Sequence, residues 1–499
     1  MGTRARPGEH VELGALLAAS AALLSVRLLA ATRVGFGDSE ALYACYALHP
    51  QPAYLDHPGL VGVLARAIGG GTAPTPGRAH LVTAVLATLV PWLMALACRA
   101  CGASWKRACA AALVFALVPE IAIGLFAMTP DLPLAMAWTG ALAAAATGLR
   151  APAGSARAAA AFAAAGVLAG VAAASKVSGI LLLAALAWTY ASRPVRPHAR
   201  TVAPWAGLAA GALVLVPVVA LEARTGWPML RHRLVDTQTA AGLSLRNVGA
   251  LLGGQLAYLS PLVVVLAVLA ARALWRGRDD AVGALLLASC GLPFAVLLPL
   301  CLWSRVAEPH WIAPALLALV PAAARAPQGP SRRLVAASCA LAAAVVAAVH
   351  AWVLVPSLLR LAPASYDARL DLANELRGWP QAVHAVREEA LAAWPPGSER
   401  GDVVVVGPHW VVCAQLEAAL RGDVPVGCDT PVPDDFDAWW PRARWRHADT
   451  LLWVSDRRFG PPPELPAYVP VRTREVPVER DGRTVRVFTI TVLARRAQA

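Results

Sequence analysis

The sequence predicts an α-helical polytopic membrane protein with a C-terminal α/β domain, and two observations support the prediction. First, 58% of the 499 residues are hydrophobic and only 15% are charged, whereas soluble domains average about 25% charged residues. Second, long apolar runs recur from Leu13 to Pro356, and the mean hydropathy of the chain is +0.55. This composition excludes an ordinary cytosolic enzyme and an intrinsically disordered chain.

About eleven apolar segments are candidate membrane spans, since a spanning helix needs roughly 20 mostly apolar residues. The fifth and sixth candidates are short, and only the segment around Lys176 separates them. The candidate spans are approximately 13–33, 79–98, 107–126, 132–149, 158–174, 178–192, 202–221, 249–271, 281–302, 311–325 and 334–356.

The charge distribution predicts the orientation of these spans. The apolar portion carries a net charge of +14 and the residues after Pro356 carry −1. Arginines concentrate in alternate short connections, so we expect a cytoplasmic amino terminus and, after eleven spans, an extracytoplasmic carboxyl terminus. The pattern argues against nucleic-acid binding. The arginine and alanine bias is typical of a GC-rich bacterial genome, and we therefore expect the bacterial inner membrane.

We expect two domains. Residues 1–357 form a multispanning membrane domain whose first extracytoplasmic loop lies at about 35–78. Residues 358–499 form a small extracytoplasmic accessory domain with alternating strands and helices.

Within the accessory domain, the apolar runs Val403–Gly407 and Thr450–Val454 are predicted strands, with a helix at about 411–420 between them. Residues 476–493 fit a β-hairpin that turns at Asp481-Gly482. The run from Asp434 to Asp437 is interpreted as a solvated acidic turn rather than a metal loop. Whether Cys413 and Cys428 form a disulfide stays open.

Asp38-Ser39-Glu40 directly follows the first span and is the first candidate for chemistry. Two carboxylates two residues apart can divide the work, with one as general base and the other binding substrate or tuning its partner. The structural alternative is a helix cap, in which Asp38 or Ser39 accepts hydrogen bonds from a helix that begins near Glu40. The two interpretations do not exclude each other.

Other polar residues at the same predicted membrane face are candidates for substrate binding, and each also has a structural explanation. Asp56-His57 precedes a proline and fits either a sugar-binding pair or a turn, whereas Asp131 fits the first turn of a helix. Lys176 is one of two lysines and suits a phosphate, although it could instead extend to the membrane interface. A further phosphate or sugar site is predicted at Arg305, His310 and Trp311.

Five motifs, in this order, resemble the family 39 glycosyltransferases of the multispanning GT-C type, which include protein O-mannosyltransferases and the bacterial transferases that add aminoarabinose to lipid A. The resemblance covers about residues 13–325. The motifs are Gly-Asp-Ser-Glu-Ala-Leu-Tyr at 37–43, Tyr-Leu-Asp-His-Pro at 54–58, Thr-Pro-Asp-Leu-Pro-Leu at 129–134, Ser-Lys-Val-Ser-Gly at 175–179 and Pro-His-Trp-Ile-Ala-Pro at 309–314.

The resemblance implies inverting transfer of a sugar from a polyprenyl-phosphate donor to a hydroxyl of a lipid, glycan or protein acceptor on the extracytoplasmic face. A first-loop acidic residue is the base in this family, which gives the role to Asp38 or Glu40. We expect Asp38 to be the base and Glu40 to support it. This chain has Ser39 between two acidic residues that are more often adjacent in the family.

By the same resemblance, Asp131 helps to bind substrate, and Asp56 and His57 shape the cleft. Lys176 and His310, together with Arg305, bind the donor phosphate. Because a phosphate leaving group is a weak base, cations can replace a general acid. We therefore expect no metal and no cofactor, the lipid-linked sugar being a substrate.

A second hypothesis is a transporter or flippase for a lipid-linked solute, since intramembrane charges and broken spans are typical of transporters. The sequence shows no paired inverted repeat, and its ionisable residues lie at one face rather than at the midplane. A third hypothesis is an assembly protein with a degenerate site. Replacing Asp38 or Glu40 distinguishes an enzyme from a scaffold.

Overall fold

The computed structural model describes residues 9–238, 241–304, 306–393 and 402–496, and the chain divides into two compact units. The helical unit comprises Met1–Leu28, Pro52–Leu60 and Thr83–Ala348; the sheet unit comprises Leu29–Gln51, Val61–Val82 and Val349–Ala499. Most of the predicted first loop therefore lies in the same unit as the C-terminal residues.

The described residues include six helices that are long and apolar enough to cross a membrane, and up to nine spans if each of three bent helix pairs is one span. The six are Val11–Ala31, Pro76–Ala100, Asp131–Arg150, Ala156–Ser175, Ala281–Trp303 and Arg332–Leu354. The pairs are Trp105–Leu117 with Pro119–Phe126, Ala203–Val214 with Val216–Thr225, and Leu245–Leu259 with Pro261–Arg276, bent by 76°, 48° and 98°. The polytopic helical fold is confirmed, with six to nine such helices among the described residues where about eleven spans were expected.

One of the two segments that fall short is 178–192. A 3₁₀ turn at Val177–Gly179 precedes a helix at Ile180–Ala191 that has 12 residues. At 1.5 Å per residue, such a helix is shorter than the hydrocarbon core of about 30 Å.

The other segment is 311–325, where the backbone changes direction repeatedly. Pro314 and Pro321 lie within it, and proline lacks the N–H that a continuous helix needs. The segment is therefore broken into the short helices Pro309–Ile312, Ala313–Leu316 and Leu319–Arg325.

The remaining described helices are short, apart from a 15-residue helix in the sheet unit at Trp379–Ala393. Four of them lie in the helical unit, at Arg193–Val195, Arg196–Ala199, Pro228–Leu234 and Asp236–Gln238. The others are Asp38–Cys45, Leu60–Gly69, Pro356–Leu361, Ala368–Leu370, Leu372–Glu375, Trp410–Leu420, Asp435–Trp439 and Arg442–Trp445.

Small residues allow the membrane helices to approach each other closely. A Cβ added to Gly166 would overlap the carbonyl of Gly207, and one added to Gly170 would overlap that of Gly211. Each helix thus contributes two glycines four positions apart, the spacing that lets membrane helices pack backbone to backbone. The two helices that cross here are Ala156–Ser175 and Ala203–Val214.

Arg27 lies within the first span and is buried. Its guanidinium donates to the backbone carbonyls of Ile121 and Ala122 at 2.9 Å and to the hydroxyl of Thr88 at 3.1 Å. Those carbonyls belong to a helix, Pro119–Ala122, that ends after one turn, so they lack partners within it. The costly intramembrane charge faces protein, as such charges must.

The sheet unit contains a five-stranded sheet in the order β2-β1-β3-β5-β4. β1 pairs in parallel with β2 and β3, whereas β3, β5 and β4 pair antiparallel. The predicted α/β domain, with its first and third strands and its C-terminal hairpin, is confirmed. The strands are β1 (Val403–Gly407), β2 (Val426–Cys428), β3 (Thr450–Asp456), β4 (Tyr468–Arg480) and β5 (Arg483–Arg495).

The structure defines two features of the accessory domain. One is the cysteine pair, whose pairing the sequence left open, and the other is the acidic run, which was interpreted as a solvated turn. Cys413 and Cys428 are both buried free thiols. Asp434 accepts a hydrogen bond from the backbone N–H of Phe436 at 2.9 Å and caps the helix Asp435–Trp439. The acidic run is therefore the start of a helix, and Asp435 within it is buried rather than solvated.

Candidate active site

The first acidic pair lies at the start of a helix in the sheet unit. The helix Asp38–Cys45 begins two residues earlier than expected, with Gly37 as its N-cap. The predicted cap by Asp38 or Ser39 is wrong, because the carboxylate of Glu40 instead folds back and accepts from the Gly37 N–H at 2.9 Å. Its other oxygen lies 2.9 Å from Nε2 of His80. Both oxygens of Glu40 are therefore engaged in holding the structure.

Asp38 is held differently. Its Oδ2 accepts a hydrogen bond from Nη1 of Arg458 at 2.9 Å. Its Oδ1 is buried and has no hydrogen-bond partner among the described residues. A carboxylate with one oxygen fixed and one oxygen bare can accept a proton or a hydrogen bond from a substrate hydroxyl. Of the two acidic residues, Asp38 thus has the geometry of a base.

A second group of predicted residues meets in the helical unit. Nζ of Lys176 donates to Oδ1 of Asp131 at 2.7 Å and lies 3.4 Å from Nε2 of His310. Nδ1 of His310 lies 3.1 Å from Oε2 of Glu308. Because an ammonium only donates, Nε2 accepts from Lys176, and Nδ1 carries the proton that is donated to Glu308.

Helix ends and a short turn position these side chains. Lys176 is the C-cap of the helix Ala156–Ser175, and Asp131 is the first residue of its helix, where the helix dipole favours a negative charge. His310 lies in the turn Pro309–Ile312. The side chain of Gln255 donates to the carbonyl of Pro309 at 2.7 Å, which fixes that turn.

Asp56 and His57 are joined to Trp311 through Arg233, a residue that the sequence had not singled out. The Arg233 guanidinium lies 3.2 Å from the Asp56 carboxylate and donates through Nε to the Asp56 carbonyl at 2.9 Å. It lies 3.3 Å from Nε2 of His57 and 5.8 Å above the Trp311 indole ring. Since His310 and Trp311 are adjacent, we treat all these residues as one cationic cluster: Asp56, His57, Asp131, Lys176, Arg233, Glu308, His310 and Trp311.

The pKa of His57 reflects its burial and the charges of the cationic cluster. Burial lowers its pKa well below the ordinary value of about 6.5, and the positive charges of Arg233 and Lys176 lower it further. His57 is therefore neutral at physiological pH. The charged groups around it are the cations Lys176 and Arg233, each paired with a carboxylate, Asp131 and Asp56 respectively.

The structure thus brings together six predicted residues in the cationic cluster and places Asp38 and Glu40 on one helix of the sheet unit. Arg305 lies outside the described residues. Sequence reasoning assigned no role in the site to Arg233, Arg458 or Glu308. Glu308 lies two positions before His310, and this proximity could have identified it. No local sequence pattern identifies Arg233 or Arg458.

Within the described ranges, no group of three or more histidine, cysteine, aspartate or glutamate side chains could hold a metal ion. The expectation that the reaction needs no metal or cofactor stays a prediction.

Residues 76–221 match the family described as dolichyl-phosphate-mannose-protein mannosyltransferase. This segment contains Asp131 and Lys176 of the cationic cluster. No curated protein sequence matches the chain significantly.

The fold is similar to that of ArnT from Cupriavidus metallidurans, solved in the apo state and bound to undecaprenyl phosphate. The TM-scores are 0.62 and 0.60 at 16% and 18% identity, and each comparison covers 96% of this chain and 98% of the other. An oligosaccharyltransferase from Archaeoglobus fulgidus, tethered with an acceptor peptide, gives a TM-score of 0.52 at 14% identity and covers 89% of this chain and 69% of the other.

The family match indicates the enzyme class and the structural similarity indicates the fold, as the sequence motifs predicted. The assignment to family 39 in particular stays a prediction. The chain is a membrane glycosyltransferase with the GT-C fold.

Proposed function

We propose that the enzyme transfers a sugar from a polyprenyl-phosphate donor to an acceptor hydroxyl, with inversion, on the extracytoplasmic side of a bacterial inner membrane. The observation that carries the proposal is the state of Asp38, with Oδ2 bound to Arg458 and Oδ1 buried and bare. A base must be able to accept the hydroxyl proton, and Glu40, whose oxygens bind Gly37 and His80, is already occupied.

In the proposed reaction, Oδ1 of Asp38 takes the proton of the acceptor hydroxyl as the hydroxyl oxygen attacks the anomeric carbon of the sugar. The bond between that carbon and the phosphate oxygen breaks, and its electron pair stays on the phosphate. Attack opposite the leaving group inverts the anomeric configuration. The products are a glycoside and the free polyprenyl phosphate.

The cationic cluster is the proposed site of the donor phosphate. The ammonium of Lys176 has three N–H donors, and two of them serve Asp131 and His310. The third can bind a phosphate oxygen and stabilise the charge that develops as the phosphate leaves. The guanidinium of Arg233 supplies a second positive charge in the same cluster. This arrangement needs no general acid and no divalent metal.

Two further observations support the choice of donor. The structurally similar ArnT has been solved bound to undecaprenyl phosphate, which has the phosphate and lipid of the proposed leaving group. The indole of Trp311, next to His310, offers an aromatic face on which a sugar ring can pack. Asp56 and His57, which Arg233 holds beside this ring, shape the proposed sugar site.

The test uses the full-length protein in lipid nanodiscs with a panel of radiolabelled undecaprenyl-phosphate sugars and an extract of envelope acceptors. We expect one donor to be consumed, with release of undecaprenyl phosphate and a product whose anomeric configuration, read by NMR, is opposite to that of the donor. Product with retained configuration would contradict the mechanism. If all donors stayed intact while the lipid moved across the bilayer, the protein would act as a flippase and the proposal would be wrong.

A further inference from the structure

The residue that holds Asp38 belongs to the accessory domain, for which the sequence suggested no catalytic role. Arg458 follows β3 (Thr450–Asp456) by two positions. Nη1 of Arg458 lies 2.9 Å from Oδ2 of Asp38 and 3.4 Å from Oε1 of Glu375. Nε of Arg458 lies 3.1 Å from Oδ2 of Asp456. One guanidinium therefore bridges three carboxylates.

Contacts within the accessory domain hold the Arg458 guanidinium in place independently of Asp38. The backbone N–H of Arg458 donates to Oδ1 of Asp456 at 2.9 Å, and Asp456 is itself held by Nε of Arg486 at 2.8 Å. Asp456 and Arg486 are buried. Although burial lowers the pKa of Arg458, the carboxylates of Asp456 and Asp38 raise it, so the guanidinium stays charged throughout the working pH range.

The helix that carries Asp38 is fixed to the same domain along its length. The side chain of Gln415 donates to the carbonyl of Phe36 at 2.8 Å, just before the helix begins. The thiol of Cys45 donates to the carbonyl of Ala414 at 3.3 Å near its end. The hydroxyl of Tyr46 lies 3.0 Å from Oδ2 of Asp435. The accessory domain thus sets the position of the helix as well as that of the carboxylate.

We propose that Arg458 is a positioning residue for Asp38 and that the accessory domain is therefore a working part of the active site. The inference rests on the proposed function, in which Asp38 is the base. By fixing Oδ2, Arg458 determines the direction in which the lone pairs of Oδ1 point toward the acceptor hydroxyl. Arginine is always protonated, so Arg458 cannot be the base in place of Asp38.

The contacts of Arg458 with three carboxylates suit a reaction in which one of them, Asp38, changes charge. When Asp38 takes the acceptor proton it becomes neutral, and its ion pair with Arg458 weakens. Arg458 keeps Glu375 and Asp456 as partners at that moment. The guanidinium therefore keeps negatively charged partners. A buried charge without a partner would be costly.

The experiment compares Arg458→Gln and Arg458→Lys with wild type in full-length protein, using the donor that wild type consumes. Arg474→Gln is the matched control, because Arg474 forms an ion pair at 2.8 Å with Glu388 on the exposed surface of the same domain. Asp38→Asn and the double variant Asp38→Asn/Arg458→Gln complete a cycle. The readouts are kcat, the donor KM and the unfolding temperature.

We expect Arg458→Gln to lower kcat by about 100-fold, the cost of misplacing a reacting group by about 1 Å, with little change in the donor KM. Lysine at 458 restores part of kcat, Arg474→Gln behaves as wild type, and the Gln substitution has no further effect once Asp38 is Asn. A wild-type kcat in Arg458→Gln would overturn the inference, as would a loss of kcat that only follows a loss of folded protein. Normal turnover in Asp38→Asn would instead refute the proposed function.

Discussion

Asp38 and Arg458 are separated by 420 residues in the chain, and their side chains meet at 2.9 Å. One follows the first membrane span and the other lies in the last domain. Their contact leaves a single bare oxygen on Asp38, so residues from both ends of the chain define the proposed base. The accessory domain is part of the same compact unit as the helix that bears Asp38.

The phosphate-binding role of Lys176 can be tested by removing its charge. We expect Lys176→Met to weaken the binding of undecaprenyl phosphate by about 10- to 100-fold, since a hydrogen bond to a charged group contributes about 1.5–3 kcal/mol. Lys176→Arg keeps the charge and loses less. Affinity is measured by native mass spectrometry of the protein in nanodiscs.

The second lysine supplies the matched control for that prediction. Lys106 lies 3.6 Å from Glu12 in a half-exposed ion pair, and Lys106→Met should bind the lipid as wild type does. Equal affinity in Lys176→Met and wild type would show that the phosphate binds elsewhere.

The glycine contact between Gly166 and Gly207 predicts a loss of stability on adding one methyl group. We expect Gly166→Ala to lower the free energy of unfolding by about 1–3 kcal/mol, the usual cost of forcing extra volume into a packed interface. Thermal unfolding in detergent measures the effect. Gly291→Ala is the control, because nothing lies within 4 Å of a Cβ added there; an equal loss in both variants would contradict the packing argument.

Arg27 should stabilise the broken span whose carbonyls it binds. Arg27→Met leaves the carbonyls of Ile121 and Ala122 without donors in an apolar setting, at a cost of about 1–3 kcal/mol for each unsatisfied group. We expect the unfolding temperature to fall clearly. The control is Ser25→Ala, since the exposed Ser25 hydroxyl donates only to Ala21 of its own helix; an unchanged unfolding temperature in Arg27→Met would disprove the role.

The carboxyl of Asp434 should make stability depend on pH in the acid range. Burial, with a contribution from the charge of Asp437, raises its pKa to about 6. A raised pKa means that the stabilisation is complete below about pH 4, the value for an unfolded aspartate, and is lost as the pH rises through 6. The loss amounts to about 3 kcal/mol, at 1.36 kcal/mol for each pKa unit.

Asp434→Asn isolates this effect, because asparagine caps a helix as well as aspartate does but does not ionise. We expect the unfolding temperature of Asp434→Asn, relative to wild type, to increase from pH 4 to pH 7. Asp423→Asn, which removes an exposed carboxylate 3.3 Å from Arg387, should show no such trend. A constant difference between Asp434→Asn and wild type across this range would contradict the assignment.

Much of the fold could be predicted because it depends on local pattern. Apolar runs marked the membrane helices, and Asp481-Gly482 marked the hairpin between β4 and β5. More spans were expected than there are long apolar helices in the described residues, because hydropathy reflects composition and not backbone continuity. The prolines of 311–325 break a segment that is otherwise apolar enough.

The candidate site could be predicted only in part, for a similar reason. Asp131 and Lys176 are visible because each is an ionisable residue at the end of an apolar helix, and their contact at 2.7 Å agrees with the predicted common face. The pairing of Asp38 with Arg458 has no local signal, since it depends on how the chain brings distant segments together. The same is true of Arg233 and Asp56, 177 residues apart.

The central claim, that Asp38 is the base of sugar transfer from a polyprenyl phosphate, is tested most directly by comparing Asp38→Asn with Glu40→Gln in the same nanodisc assay. Both variants change one oxygen to nitrogen and remove one charge. Single-turnover consumption of the donor, and binding of undecaprenyl phosphate, are measured for each. We predict that Asp38→Asn binds the lipid as wild type does but loses turnover by about 10²–10⁴-fold, the usual contribution of a general base. Glu40→Gln should retain a measurable fraction of turnover, since it loses a structural contact only. Turnover that survives in Asp38→Asn and disappears in Glu40→Gln would contradict the account.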